Sequence, residues 1–368
     1  MNRFLSQKLR FFTFFCIALL VYVHGYNLNV AYLAPISSVQ EPLTITTFTE
    51  FLFANGLLRF RIPMLFIISG YLYAFYDNRP YIERTKKRFV TLIIPYLIWS
   101  AVGLLVTYLF QQFPITAKAV LLSDLDQLHD NRPYAEIGWA GILKRWILVP
   151  ISFQLWFIFA LFVYNVVYPG LRWLVLKIPY IWFPLAFFLW FTYFNVFYIE
   201  GQGLLFFSLG IWLQKKNISI ERPPRWFPQG LFWILYIGIN IIKTFIAFEL
   251  EGYTTLSMVV LLILYNFSIL AGIMAIWFGS NAVVRWCMNQ RWFSKASAFS
   301  FFIYGLHIPL MAYLMRLAFM YTHNLPNYRL LCYILVPAFV VLLCIILANI
   351  LRKIVPGLYR LMTGGRGL

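Results

Sequence analysis

The sequence predicts an all-α fold: a polytopic transmembrane helical bundle of about ten spans with both termini in the cytoplasm. Three observations predict it. Hydrophobic residues make up 62% of the chain and charged residues 11%, whereas soluble domains carry roughly 25% charged residues. Apolar runs of membrane-spanning length follow one another along the chain, and basic residues are concentrated in alternate gaps between them. This composition excludes an ordinary soluble enzyme.

A membrane-spanning helix needs about 20 predominantly apolar residues. Runs that meet or approach this length lie at residues 11–27, 57–76, 89–111, 150–171, 178–199, 201–214, 228–248, 256–279, 297–320 and 330–351. The sixth run is short, which suggests a tilted or broken helix. Residues 140–148 form an amphipathic segment suited to the membrane surface. Since neither a repeat nor a separate soluble domain is evident, we expect one integral membrane domain over residues 1–368.

The distribution of basic residues predicts the orientation. With the N-terminus inside, the cytoplasmic segments hold 21 of the 30 Lys and Arg residues and the outer segments hold five. This asymmetry follows the positive-inside rule, and it accounts for the net charge of +18 without a nucleic-acid partner. The remaining four cations lie in spans or at their edges: Arg59, Arg61, Lys243 and Arg316.

The cysteines do not form a metal or redox motif. They are scattered, mostly within apolar runs, at Cys16, Cys287, Cys332 and Cys344. We therefore expect reduced, packed thiols and no metal site.

Several polar residues are left unexplained by the topology, and all of them fall in the outer half of the predicted bundle. Ionisable groups inside a membrane are costly, so they are functional candidates. The candidates are His24, Arg59, Arg61, Gln154, Trp156, Glu200 and His307.

Each candidate has a structural alternative. His24 is also interpretable as an interfacial histidine that bonds a backbone carbonyl, and His307 as one that bonds a carbonyl released by Pro309. Arg59 and Arg61 can extend to the outer headgroups.

The alternatives for the other candidates are equally simple. Trp156 suits the aromatic belt of the membrane interface, and Glu200 at a turn is interpretable as solvated. The basic run Lys86, Lys87 and Arg88 is accounted for by orientation alone.

The first span links the two sides of the membrane. Arg10 and His24 are fourteen positions apart, so a continuous helix separates them by about 21 Å and about 40° of rotation. Both side chains are therefore expected on one side of the first helix, at opposite ends of a site that spans the bilayer.

An ordered set of motifs resembles the membrane-bound acyltransferase-3 family. Residues 59–71, RFRIPMLFIISGY, and 86–99, KKRFVTLIIPYLIW, are similar to that family's second helix and basic third-helix start. The segments that complete the resemblance are Leu9-Arg10 to Val23-His24, Leu155-Trp156-Phe157, Phe206 to Gly210, and residues 297–309, SAFSFFIYGLHIP. They run in family order from residue 9 to about residue 310.

The resemblance implies an activity and a location. Members of this family transfer an acyl group, usually acetyl, from cytoplasmic acyl-CoA to a hydroxyl of a glycan or related cell-surface acceptor. Acetyl-CoA is then a donor substrate, and no bound cofactor is expected. The implied location is the bacterial inner membrane, with the lipid bilayer as the surrounding partner. The acceptor and the oligomeric state are not given by the sequence.

The same resemblance suggests roles for the catalytic candidates. In this hypothesis His24 is the general base that activates the acceptor hydroxyl, because the pKa of histidine suits proton transfer near neutral pH. Arg59 or Arg61 holds the acyl donor or offsets charge on the thioester carbonyl. No serine or cysteine resembles a primed nucleophile, so direct transfer is expected.

Substrate-binding roles follow from the same hypothesis. Arg10, Lys86, Lys87 and Arg88 would bind the phosphates of the donor at the cytoplasmic side.

Two further candidates would contact substrate elsewhere. Trp156 would stack on a sugar or line an acyl tunnel, and His307 would orient a substrate. Two other classes of function are compatible with intramembrane charges: a transporter or flippase for a glycan or lipid, and a purely structural membrane scaffold. Acyl transfer from a thioester separates the first hypothesis from both.

Overall fold

The computed structural model of the protein describes residues 1–26, 36–130, 132–225, 227–250 and 255–367. They are overwhelmingly α-helical, as the sequence predicts. The chain divides into two compact units, which are unit 1, Met1–Pro80 with Val166–Ser297, and unit 2, Tyr81–Asn165 with Ala298–Leu368. That residues 1–368 form one domain stays a prediction.

Unit 1 contains most of the N-terminal and central helices. They are α1 (Arg3–His24), α2 (Ile45–Phe51), α3 (Arg61–Phe75), α9 (Pro179–Phe191), α10 (Gly201–Lys215), α11 (Gln229–Glu249), α12 (Thr255–Gly279), α13 (Asn281–Asn289) and α14 (Arg291–Ala296). A π-helical turn, Leu52–Leu57, follows α2 directly. Strands β1 (Asn195–Val196) and β2 (Ile199–Glu200) pair antiparallel before α10.

Unit 2 contains the basic segment, the long hydrophilic segment and the C-terminal helices. They are α4 (Tyr81–Arg88), α5 (Ile94–Gln111), α6 (Pro114–Ser123), α7 (Trp139–Ile147), α15 (Ser300–Thr322), α16 (Tyr328–Ile354) and α17 (Pro356–Thr363). A π-helical turn, Phe89–Ile93, joins α4 to α5. Helix α8 (Trp156–Lys177) belongs to unit 2 up to residue 165 and to unit 1 thereafter.

The predicted spans correspond to helices of two lengths. Among the described residues, eight helical segments are long and apolar enough to cross a bilayer, and they correspond to eight of the ten predicted runs. The end of the first predicted run, residue 27, lies outside the described residues. The fifth and sixth runs contain the shorter helices α9 and α10, so a total of ten spans stays a prediction.

The second span is longer than the sequence suggests and is interrupted. It extends from Ile45 to Phe75 rather than from residue 57. The first half of the span was not recognised from the sequence, because Glu50 and Asn55 interrupt the apolar run. Both residues are nevertheless buried. The sequence suggested that Arg59 and Arg61 lie at the start of this span, and that interpretation was wrong. They lie at the break between its two halves.

The fifth predicted run, residues 178–199, is helical only over Pro179–Phe191. The chain then turns through Tyr193, Phe197 and Tyr198, which have positive φ angles, into the short hairpin before Glu200. The aromatic and β-branched residues after Phe191 favour extended backbone over helix. The apolar composition therefore indicated a longer helix than forms.

Two motif segments of unit 1 pack against each other through glycine. A Cβ on Gly70 of α3 would lie 2.1 Å from the carbonyl oxygen of Phe207 of α10, and a Cβ on Gly210 would lie 2.2 Å from the carbonyl oxygen of Ile67. Small residues allow helix backbones to approach this closely in membranes. This contact fixes α3, and with it the break that carries Arg59 and Arg61.

The amphipathic segment predicted at residues 140–148 forms α7, Trp139–Ile147. Trp139 is exposed, whereas Arg145 on the other side is buried. The cysteines are buried free thiols, as predicted.

Candidate active site

The first helix is continuous, which supports the expected geometry of its two site residues. α1 runs without a break from Arg3 to His24, so the rise and rotation expected between Arg10 and His24 apply. Gly25 ends the helix with an N–H that bonds carbonyls of the last turn. His24 is half-buried at this end, and Arg10 is exposed near the other.

Asn55 connects the segment just after His24 to Arg59, one of the two arginines that the sequence selected. The side-chain amide of Asn55 donates to the hydroxyl of Tyr26 at 2.9 Å, and its side-chain oxygen accepts a hydrogen bond from Arg59. The backbone carbonyl of Asn55 accepts from the amino group of Lys243 at 2.6 Å. A fully buried amide therefore joins the end of α1, the broken second span and α11.

Arg59 is the charged centre of this network. Its guanidinium acts electrostatically on Tyr26, Lys243 and Tyr265, which lie on three different segments of unit 1. The guanidinium remains protonated in proteins. The described part of unit 1 therefore holds a fixed positive charge close to the end of α1 that carries His24.

Arg61 occupies a deeper position. Its Nε donates to the carbonyl of Leu58, and the side chain is buried. It acts electrostatically on Cys16, which precedes His24 by eight residues and therefore lies about 12 Å further along α1. The two arginines are thus not equivalent: Arg59 belongs to the network at the end of α1, and Arg61 supports the break.

The tyrosine hydroxyl of α11 completes the support of this break. Tyr236 donates to the carbonyl of Leu57, next to the carbonyl that Arg61 occupies. Backbone carbonyls released at a helix interruption must be satisfied in a membrane, because water is absent. Arg61 and Tyr236 supply these bonds, which holds Arg59 in place.

Sequence reasoning missed Asn55 and undervalued Lys243. Asn55 precedes Gly56 in a pair typical of turns, and the predicted span began after it. Lys243 was classed only as a cation within a span, although its mid-helix position is itself a signal of function. Lys243 is buried and lies 5.0 Å from the ring centre of Phe51.

Glu200 does lie at the predicted turn, directly before α10, but it is half-buried rather than solvated. Burial raises its pKa to about 7. It also acts electrostatically on Tyr265, a residue that Arg59 influences as well. Glu200 therefore borders the same polar region of unit 1.

The predicted donor-binding cations fall in different units. In unit 1, Arg10 donates to the carbonyl of Ser294 at 2.5 Å. In unit 2, Lys86 and Lys87 are exposed on α4, and Arg88 is half-buried. The donor-binding role of all four stays a prediction.

The C-terminal segment adds a cation that sequence reasoning did not select. Arg366 donates to the carbonyl of Thr91 at 2.9 Å and lies 4.4 Å from the ring centre of Phe301. Its pKa is lowered to about 10, first by burial and then by the neighbouring charge of Arg88. Two like charges held together in this way favour an anion.

His307 lies directly before a kink in α15. The backbone leaves the helical conformation at Ile308, before Pro309. The Nδ1 atom of His307 lies 3.0 Å from the carbonyl oxygens of Ile303 and Tyr304. Because carbonyls only accept hydrogen bonds, Nδ1 carries the proton, and the lone pair of the neutral ring is on Nε2. Nδ1 therefore bonds backbone carbonyls, but those of Ile303 and Tyr304 rather than the carbonyl that Pro309 releases.

The start of the fourth span stabilises this kink. The side-chain amide of Gln154 lies 3.3 Å from the carbonyl oxygen of Gly305, the carbonyl whose helical partner Pro309 lacks. Ser152 donates to the carbonyl of Ile308 at 2.9 Å. Gln154 is thus a positioning residue for His307.

Trp156 begins α8, as the sequence suggested, and is half-buried. Its ring packs edge-on against Phe157 with centroids 5.7 Å apart. Its sugar-binding role stays a prediction. Among the described residues, no group of three His, Cys, Asp or Glu side chains is arranged to hold a metal ion.

Comparison with known proteins places these features in a family context. Residues 7–349 match the family described as the acyltransferase domain, a range that includes every predicted site residue. The chain is also similar to the succinoglycan biosynthesis protein ExoH of Rhizobium meliloti (strain 1021), with 23% identity over 332 residues, covering 85% of this chain and 80% of that protein. No solved structure matches the chain.

Proposed function

Because the chain belongs to the acyltransferase domain family and is a multi-pass membrane acyltransferase, we propose that it transfers an acyl group, acetyl by family resemblance, from cytoplasmic acyl-CoA to a hydroxyl of an extracytoplasmic glycan. The similarity to a protein of succinoglycan biosynthesis supports a polysaccharide acceptor. The observation that carries the proposal is the buried network of Asn55, Arg59, Lys243 and Tyr26 beyond His24.

The proposed chemistry is direct transfer. His24 removes the proton of the acceptor hydroxyl, whose oxygen attacks the thioester carbonyl carbon. The carbon–sulfur bond then breaks, the thiolate of CoA leaves, and the proton held by His24 returns to that sulfur. The products are an ester on the glycan and free CoA.

Arg59 is the proposed electrostatic group. Negative charge develops on the thioester oxygen during attack, and a preorganised cation in a site without water stabilises it strongly. Asn55 fixes the guanidinium of Arg59 from one side, and Lys243 brings a second nitrogen donor to the same segment. Arg61 is assigned a positioning role instead, because it bonds the backbone at the break.

The donor phosphates are assigned to cations on the cytoplasmic side. Lys86, Lys87 and Arg88 supply positive charge on α4, and Arg366 supplies a buried guanidinium beside Arg88. Arg10 contributes from α1 of unit 1. Charge-assisted bonds to phosphate are the strong hydrogen bonds that such a donor requires.

His307 and Trp156 are assigned to substrate positioning within unit 2. The Nε2 atom of His307 carries the lone pair of the neutral ring, so it can accept a hydrogen bond from a substrate hydroxyl. The half-buried Trp156 offers an aromatic face to a sugar or an acyl chain. Membership of an acyltransferase family argues against the transporter and scaffold alternatives. The proposed location is the bacterial inner membrane.

Purified protein in liposomes tests this function directly. Radiolabelled acetyl-CoA is supplied with alkali-treated succinoglycan, from which ester groups have been removed, and base-labile label on the polysaccharide is measured. We expect labelled ester, and a several-fold higher KM for acetyl-CoA when Lys86 and Lys87 are both changed to Ala.

The matched control is Lys118→Ala, which removes a lysine from α6 and should leave the KM unchanged. A folded protein that transfers label from neither acetyl-CoA nor longer acyl-CoA donors to any polysaccharide acceptor would overturn the proposal.

A further inference from the structure

Unit 2 contains a polar pocket that the proposed chemistry does not use. It lies between α5, α15 and the segment joining α5 to α7, and its empty space of about 350 Å³ includes the solvent-filled opening. The membrane orientation predicted from the basic residues places the segment joining α5 to α7 on the extracytoplasmic side. The pocket is lined by Thr107, Gln111, Val120, Leu121, Ser123, Asp124, Leu125, Asp126, Asp130, Arg132, Tyr134, Ile151 and Tyr313.

Three buried hydroxyl groups meet in this pocket. The hydroxyls of Thr107 and Tyr313 are 2.7 Å apart, and Thr107 also donates to the carbonyl of Gly103 at 2.9 Å. Tyr313 is therefore the donor of the pair. The hydroxyl of Tyr134 lies near Thr107 but makes no hydrogen bond of normal geometry with the described residues.

The Tyr134 hydroxyl points to a polar ligand. Tyr134 is more than nine-tenths buried, and a buried hydroxyl without a hydrogen bond of normal geometry costs free energy. A ligand hydroxyl that enters the pocket would supply the missing bond, and it would find Thr107 and Tyr313 beside it.

A buried ion pair makes this part of the pocket rigid. The Nε and Nη2 atoms of Arg145 lie 3.0 Å and 2.5 Å from one carboxylate oxygen of Asp126. Arg145 also lies 3.6 Å from Asp130 and 5.8 Å from the ring centre of Tyr134. Two carboxylates and an aromatic ring are therefore held around a single guanidinium.

The charge around the pocket favours an uncharged ligand. The carboxylates of Asp124, Asp126 and Asp130 exceed the guanidinium groups of Arg132 and Arg145 by one. Carboxylates accept hydrogen bonds from hydroxyls but repel an anionic sugar. The two arginines offset the charge that a metal cation would need, and the described residues offer no metal cluster.

We propose that this pocket is an acceptor subsite, which binds an uncharged, hydroxyl-rich sugar residue of the glycan. That the bound sugar belongs to the acceptor glycan rests on the proposed function. The preference for neutral sugars rests on the pocket alone. A site built to bond hydroxyls discriminates strongly against ligands that lack them.

Tyr134→Phe is the sharpest variant, because it removes this hydroxyl and keeps the ring. Its matched control is Tyr359→Phe on α17 of the same unit. Tyr359 is also fully buried, its hydroxyl makes no hydrogen bond with the described residues, and it does not line the pocket. Both variants are expected to fold, since neither breaks a hydrogen bond of normal geometry.

Binding is measured by calorimetry on detergent-purified protein without an acyl donor. The probes are neutral gluco- and galacto-oligosaccharides, with an oligogalacturonate of equal length as the anionic comparison. We expect a neutral probe to bind, Tyr134→Phe to weaken it about ten-fold, and Tyr359→Phe to leave it unchanged. Equal affinity in Tyr134→Phe, tighter binding of the oligogalacturonate, or no neutral binding by the wild type would each overturn the subsite.

Failure of the subsite and failure of the proposed function are distinguishable. Acyl transfer with an unchanged acceptor KM in Tyr134→Phe would refute the subsite and leave the function standing. Binding that depends on Tyr134, in a protein that transfers no acyl group, would refute the function and leave a sugar-binding pocket.

Discussion

Arg59 donates a hydrogen bond to the side-chain oxygen of Asn55, the residue that precedes it by four positions along the second span. The same Asn55 side chain bonds Tyr26, two residues after His24. One amide therefore connects the proposed electrostatic group to the segment that follows the proposed base. The two arginines of the RFR sequence therefore have different roles, because Arg61 bonds a backbone carbonyl and not the Asn55 side chain.

Substitutions of the two arginines should therefore impair different properties of the protein. Arg59→Ala is expected to lower kcat at least 100-fold in protein that still folds, because it removes charge stabilisation of the transition state. Arg61→Ala is expected to lower the thermal unfolding midpoint, because it leaves a buried carbonyl unsatisfied. For each variant, the rate of acyl transfer gives the change in kcat, and the thermal unfolding midpoint in detergent gives the change in stability. Full activity in folded Arg59→Ala would contradict its role.

The glycine contact between α3 and α10 gives a stability prediction. Gly70→Ala would drive a Cβ against the backbone of Phe207, and such overpacking costs about 1–3 kcal/mol. Gly238→Ala is the matched control, since a Cβ there meets nothing within 4 Å. It should be neutral or stabilise the helix by up to about 1 kcal/mol. Equal unfolding midpoints for the two variants would show that the helices do not pack through Gly70.

The pKa of Glu200 predicts a pH dependence of stability. Burial raises this pKa from 4.5 to about 7, so the folded state retains a proton that the unfolded state loses. The associated stability is present below pH 4.5 and is lost as the pH rises to about 7. The loss is on the order of 3 kcal/mol. Glu200→Gln should flatten the unfolding midpoint over this interval.

Glu83→Gln is the control for that measurement, because Glu83 is an exposed glutamate on α4. It should retain the wild-type dependence on pH. A wild-type profile that is already flat between these pH values would contradict the burial of Glu200.

The sequence predicted the fold class and most helices because apolar length and composition are sufficient signals in a membrane. It also located Arg59 and Arg61, since charge within an apolar run is costly. It missed Asn55 because a polar residue before glycine is typical of a loop, and only tertiary contacts show that it is buried. The pocket around Tyr134 was equally inaccessible, because Thr107 and Tyr313 come from distant helices and none of these residues is unusual on its own.

The most direct test of the central claim is the rate of acyl transfer by His24→Ala, with His323→Ala as the control. His323 is an exposed histidine at the end of α15. The proposed mechanism predicts that His24→Ala loses at least about 100-fold in kcat at an unchanged unfolding midpoint, because general-base catalysis contributes this much. It predicts that His323→Ala retains full activity. Wild-type transfer by folded His24→Ala would contradict the claim and make His307 the next candidate base.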